Sequence, residues 1–247
     1  MRLVQLPASR ATSLRSSALS LLLRAASLRS SAVPAPSPAD ALGLAKQLYD
    51  MPQPPKLVAY ITGGGAQLAP WLLATPGASK SVLELQVPYS RHSLAQLLGS
   101  EPARFCSAEV ARGLASEAFK RARELHDGDS AAECFVGLGC TAALRSEPPK
   151  RGEHRCYLAV RTSAGMHEFT LALAKGWRSR LLEDAVVSRC ALLAVAHASD
   201  LPTAPGPGDV DFWRLDADDE PEAEAAAEGG VRLIADEQLE HRFIALD

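Results

Sequence analysis

Acidic residues and lysine are both absent from the first 39 residues of this 247-residue chain, while the same stretch holds five arginines and nine serines. This Arg- and Ser-rich composition is that of an organelle transit peptide able to form a basic amphipathic helix, with a disordered extension as the alternative. Arg24 interrupts the apolar run that ends at Leu23, which argues against a secretory signal. No run reaches the roughly 18 uninterrupted apolar residues that a membrane helix needs, so no membrane partner is expected. The expected localisation is mitochondrial or plastid, after removal of the peptide.

Other absences narrow the chemistry. Cys106, Cys134, Cys140, Cys156 and Cys190 are odd in number and never spaced Cys-x-x-Cys, which argues against a disulfide framework and a zinc site. They read as core thiols of a reducing compartment. The histidines show no spacing typical of metal ligands, and no metal is expected. Neither G-x-G-x-x-G nor G-x-x-x-x-G-K-S/T occurs, so the dinucleotide fingerprint and the P-loop are both missing and no cofactor is expected. Beyond residue 39, 21 bases face 29 acids, and a body of that sign is a poor nucleic-acid binder.

What is present is organised in three parts: residues 1–39, the expected transit peptide; 40–200, one α/β domain; and 201–247, a Pro/Gly linker and an acidic tail. "KLVAYI" (Lys56 to Ile61) is a compact apolar strand ended by the turn Thr62-Gly63-Gly64-Gly65, and "AQLAPWLLA" after it has helical spacing. "SVLELQV" alternates as a second strand, and "SRHSLAQLLG" reads as a helix closed by Gly99. Ser107 caps a long helix, "CFVGLG" is a buried strand, and "RCYLAVRT" with "MHEFTLALA" forms a hairpin around "SAG". A helix over about 179–198 follows. Interleaved helices and strands with an antiparallel hairpin imply a layered α/β/α domain with a mixed sheet. From Asp209 onward there are thirteen acids and three arginines; disorder is the default there, with "VRLIA" as an optional added strand.

The glycine turn carries the candidate chemistry. Gly63, Gly64 and Gly65 let the backbone approach an anion, and the helix that follows points its free N–H groups at it. Thr62 and Ser90 offer hydroxyls, and Arg91, Lys150, Arg151 or Arg155 offers charge. The plainer alternatives are that Thr62 caps a helix, Arg91 lies on a solvated face and "PPKRGEHR" is an exposed loop. A relocated mechanism would use Thr62 as nucleophile with Lys80 or His154 as base, or Cys140 with His154.

The order of these segments, TGGG, then "TPGASKSVLELQVPYS", then "LLG", then "CTAALRSEPPKRGEHRCYLAV", resembles the C-terminal domain of the CinA family, the nicotinamide-nucleotide amidases. The matching positions are Thr62 to Gly64, Pro76 and Gly77, Tyr89 and Ser90, Leu97 to Gly99, Thr141, and Tyr157 to Ala159, and the likeness spans about Leu57 to Ala198. It is closer still to a eukaryotic branch in which such a domain precedes a cytidylyltransferase-type domain, although this chain has no His-x-x-His or His-x-Gly-His signature. The resemblance implies a CinA-like fold and a small-molecule nucleotide as ligand. Together with the chemistry of the residues it makes Thr62, Tyr89 and Thr141 the catalytic candidates; Gly63, Gly64 and Ser90 are ligand-binding candidates by the match, and Gly65, Arg91, Arg151 and His154 by their own chemistry; a homo-oligomer is compatible with it. The family's nucleophilic serine falls on Tyr60, or on Ile61 if the register slides by one, and its assisting lysine falls on Leu94, so amide hydrolysis is expected only if other groups replace them. The alternative is a catalytically silent binding or regulatory module associated with a nucleotidyltransferase.

Overall fold

The computed structural model describes residues 38–126, 133–176, 178–201, 231–237 and 240–245, the last two segments and residues 38–40 at the level of the backbone. Residues 1–37, nearly all of the expected transit peptide, and most of the acidic tail lie outside the described residues. Helix α1 (Pro38–Tyr49) precedes strand β1 (Lys56–Thr62), and α2 (Leu68–Ala74) and a short 3-10 turn lead to β2 (Val82–Gln86). Helices α3 (Arg91–Leu98) and α4 (Ala108–Glu124) then lead to β3 (Phe135–Ala143). The hairpin of β4 (His154–Arg161) and β5 (Met166–Leu173) comes before α5 (Arg180–Ala198). Strands β6 (Val231–Glu237) and β7 (Glu240–Ala245) end the chain.

The seven strands form one sheet in the order β2-β1-β3-β4-β5-β6-β7. β1 runs parallel to both β2 and β3, and every pair from β3 onward is antiparallel. The "VRLIA" segment of the tail therefore lies in an added strand against β5, with β7 paired beyond it.

β1 reads as a continuous apolar run because both of its faces are covered. Leu57, Ala59 and Ile61 pack with α1, α2 and α5, whereas Val58 and Tyr60 pack with α3 and α4. Each fully buried leucine in these layers, such as Leu68 or Leu114, contributes about 1.5–3 kcal/mol. On the α4 side, β3 carries Gly137 and Gly139, where a Cβ would overlap backbone atoms of Ala115, Phe119 and Ala111. Glycine lets the helix backbone sit directly on the strand. Helix starts are fixed locally: the hydroxyls of Ser90, Ser107 and Ser179 accept from the N–H groups of Ser93, Val110 and Leu182.

One consequence of this topology positions the site. β1 connects to β2 through α2 on one face, and β2 connects to β3, on the other side of β1, through α3 and α4 on the opposite face. The chain thus switches direction between β1 and β3, and a crevice opens outside their carboxyl ends. Among the described residues no helix is long and apolar enough to cross a membrane.

Candidate functional site

Thr62 ends β1, Thr141 lies two residues before the end of β3, and the two are register partners across the parallel pair. Both are buried, and each hydroxyl ties a loop to the sheet: Thr62 Oγ1 donates to Pro88 O at 3.1 Å, and Thr141 Oγ1 donates to Phe105 O at 2.8 Å. Those two loops form the walls of a cavity of about 200 Å³ lined by Thr62, Gly63, Tyr89, Ser90, Arg91 and Thr141, together with Leu94, Phe105, Cys106 and Ala142. Six of the ten candidate residues thereby meet in one place. The hydroxyl protons are committed to carbonyls, and among the described residues no lysine or histidine hydrogen-bonds either threonine. Their oxygens keep lone pairs that can accept from a ligand.

The glycine turn is built for close packing. Gly63 and Gly65 have φ of 80° and 94°, in the left-handed region that favours glycine. A Cβ on Gly63 would overlap the Ala142 carbonyl, and one on Gly64 would overlap the Leu144 side chain. The expected anion cradle is filled by the protein itself. Asp184 on α5 places Oδ1 2.7 Å from Gly65 N and 3.2 Å from Ala66 N, and Oδ2 3.1 Å from Gln67 N. Three N–H groups at the start of α2 already have an internal carboxylate, so Gly65 is not a ligand donor here. Gly64 faces a second cavity instead, of about 410 Å³, lined also by Ile61, Gly63, Val87, Tyr89, Arg180, Leu181 and Asp184.

Arg180 lines the second cavity and reaches the ridge that it shares with the first. Its Nη2 donates to Gly63 O at 3.1 Å and reaches Tyr89 Oη at 3.5 Å, and its Nη1 donates to Arg145 O at 2.8 Å. Tyr89 itself is 69% exposed, a ring standing on the ridge that both cavities share. Arg91 lies over the Phe105 ring, 5.0 Å from its centroid, and pairs with Glu101 at 2.5 Å.

His154 and Arg151 line neither cavity. His154 is buried, with Nδ1 2.5 Å from Glu183 Oε1, while Glu183 Oε2 accepts from Arg145 N at 2.6 Å. A carboxylate accepts, so Nδ1 carries the hydrogen, and the pair ties the start of β4 to α5. Arg151 is exposed, and its carbonyl accepts from Lys175 Nζ at 3.1 Å. In the same loop, partial burial holds the Lys150 ammonium below the usual lysine range, against the pull of nearby Glu183. Cys140, the other nucleophile candidate, is fully buried and donates its S–H to Gly64 O at 3.4 Å. Cys106, read from sequence as a core thiol, is only half-buried and lines the cleft; desolvation raises its pKa, with Arg155 acting in the opposite sense. It sits there as a neutral thiol.

Tyr60 and Leu94 are the residues expected from the resemblance to stand in place of the family's serine and lysine. Both are buried in one apolar cluster with Val58 and Val110. Burial and the neighbouring Glu84 push the Tyr60 phenol up to about 12, and its hydroxyl donates to Glu84 Oε1 at 3.3 Å. Sequence reasoning passed over Arg180, Glu183 and Asp184, because acids in the first turn of a helix ordinarily complement only that helix's own dipole. No group of three or more His, Cys, Asp or Glu residues that could hold a metal occurs among the described residues.

No protein-family model and no curated protein matches the chain. Solved structures do. The chain is similar to the competence-damaged protein (CinA) superfamily protein from Escherichia coli at 17% identity and a TM-score of 0.50, over 68% of this chain and 95% of that one. It is also similar to the competence/damage-inducible protein CihA from Agrobacterium tumefaciens, at 19% identity and a TM-score of 0.49, over 68% and 99% of the two chains. At such identity the likeness establishes the fold: a layered α/β domain with a mixed sheet, CinA-like in architecture. Function has to be argued from the site.

Proposed function

We propose that this domain binds a small anionic nucleotide in the cleft at the carboxyl ends of β1 and β3 and does not hydrolyse amides. The observation that carries the reading is the joint burial of Tyr60 and Leu94 beneath a cleft that remains open above them. Amide hydrolysis needs a nucleophile, a base within hydrogen-bond reach of it and donors for the oxyanion. Here the positions resembling the serine and lysine belong to the core, and the threonine hydroxyls nearby donate to carbonyls. The features useful for binding persist. Thr62, Ser90 and Thr141 present oxygens, Tyr89 presents a ring face, and Arg180, in the adjoining cavity, presents an exposed guanidinium whose hydrogen-bond partners are all uncharged.

The full chain, incubated with nicotinamide mononucleotide beside a bacterial amidase as positive control, is expected to release no ammonia. The same mononucleotide is expected to raise the melting temperature, since a ligand at 100 times its dissociation constant stabilises by about 2.7 kcal/mol. Ammonia release that is abolished by Thr62→Ala would overturn the silent-site reading and place the chemistry on the turn.

A further inference from the structure

We infer that the ligand has two lobes joined through its phosphates, a pyrophosphate-linked dinucleotide; this rests on the nucleotide-binding reading above. The polar cavity alone holds about 200 Å³, below the roughly 300–1,000 Å³ of ordinary small-molecule sites. Beside it lies the second cavity of about 410 Å³, and the two share Gly63 and Tyr89 as a common ridge. The chemistry of the halves differs. One presents the hydroxyls of Thr62, Ser90 and Thr141, suited to a ribose and its base edge; the other presents Ile61, Val87 and Leu181, suited to a flat ring stacked against Tyr89.

The charge lies at the shared ridge, on the side of the second cavity. Arg180 hydrogen-bonds Gly63 O and Tyr89 Oη on the ridge, and its contacts are to two carbonyls and a phenol. No carboxylate forms an ion pair with it among the described residues. The carboxylate in the apolar half, Asp184, accepts from three backbone N–H groups and lines that cavity. An anionic end group is therefore disfavoured there, and a neutral or cationic ring is favoured. A mononucleotide carries its phosphate at one end and would leave the apolar half empty. A molecule with phosphates in the middle puts them on Arg180 and a ring on either side.

The test is calorimetric titration of the full chain with NAD and, separately, with its two halves, nicotinamide mononucleotide and AMP. The dinucleotide is expected to bind at least about tenfold more tightly than either half. Leu181→Asp, at a site 69% exposed and thus safe for folding, is expected to remove that advantage, and Arg180→Ala to weaken the dinucleotide about tenfold or more. Far-ultraviolet circular dichroism checks that both variants are folded. A mononucleotide that binds as tightly as the dinucleotide would overturn the two-lobed ligand while leaving the binding reading intact. Failure of all three probes to bind would overturn both.

Discussion

Glu183 and Asp184 are neighbours near the start of α5, and they do different work. Glu183 is fully buried and holds the His154 ring and the Arg145 N–H, fastening the β3–β4 loop to the helix. Asp184 is partly exposed and holds the N–H groups of Gly65, Ala66 and Gln67, fastening the glycine turn to the same helix. One short acidic step thus fixes two loops beside the cleft. The difference between the two residues is access to water. At Glu183 nothing can replace the carboxylate, whereas at Asp184 solvent can take over part of its role. What sequence suggests is a cradle for a ligand's phosphate is therefore, in this chain, a joint between β1 and α5.

The largest expected effect is on Glu183. Glu183→Ala leaves a ring N–H and a backbone N–H buried without their acceptor, and urea unfolding is expected to report a loss of about 3–5 kcal/mol. Glu183→Gln, whose amide oxygen still accepts one of them, should recover part of it. Asp184→Ala is expected to cost less, about 1–3 kcal/mol, because water reaches the stranded donors. Equal losses at the two sites would erase the distinction drawn here. Added inorganic phosphate is expected not to restore the Asp184 variant, since Ala142 and Leu144 close the turn from the strand side. Restoration would mean that the turn is an anion site with a resident internal anion.

Much of this architecture was legible in the sequence because it depends on local pattern. β1 announced itself by a short apolar run before glycines, the start of α4 by the capping position of Ser107, and the β4–β5 hairpin by the two strand-like runs around "SAG". The cleft residues Thr62, Tyr89, Ser90, Arg91 and Thr141 were legible through the family resemblance, and they do converge. What failed to show was anything set by contact across the chain. Asp184 and Gly65 are 119 positions apart, and no periodicity links them. His154 looked like a loop residue free to meet a ligand, yet its partner is a glutamate on a helix 29 positions later. Arg180 was not singled out for the same reason: only the carbonyls of Gly63 and Arg145 explain its place.

The smallest expected effect on stability concerns the outer rim, and it sharpens the contrast with the two α5 carboxylates. Glu101 pairs with Arg91, and the two side chains are 54% and 73% exposed. An ion pair so open to solvent is worth about 0–1 kcal/mol, so Glu101→Gln should leave unfolding nearly unchanged. Its effect on binding should be larger than its effect on folding. Arg91 remains stacked on Phe105, facing the cleft, but loses its competing anion. Mononucleotide affinity measured by titration is then expected to rise, and to rise more at low salt, where exposed charges are less screened. An unchanged affinity would mean that Arg91 serves only the Phe105 wall, leaving Arg180 as the cation that meets the phosphate.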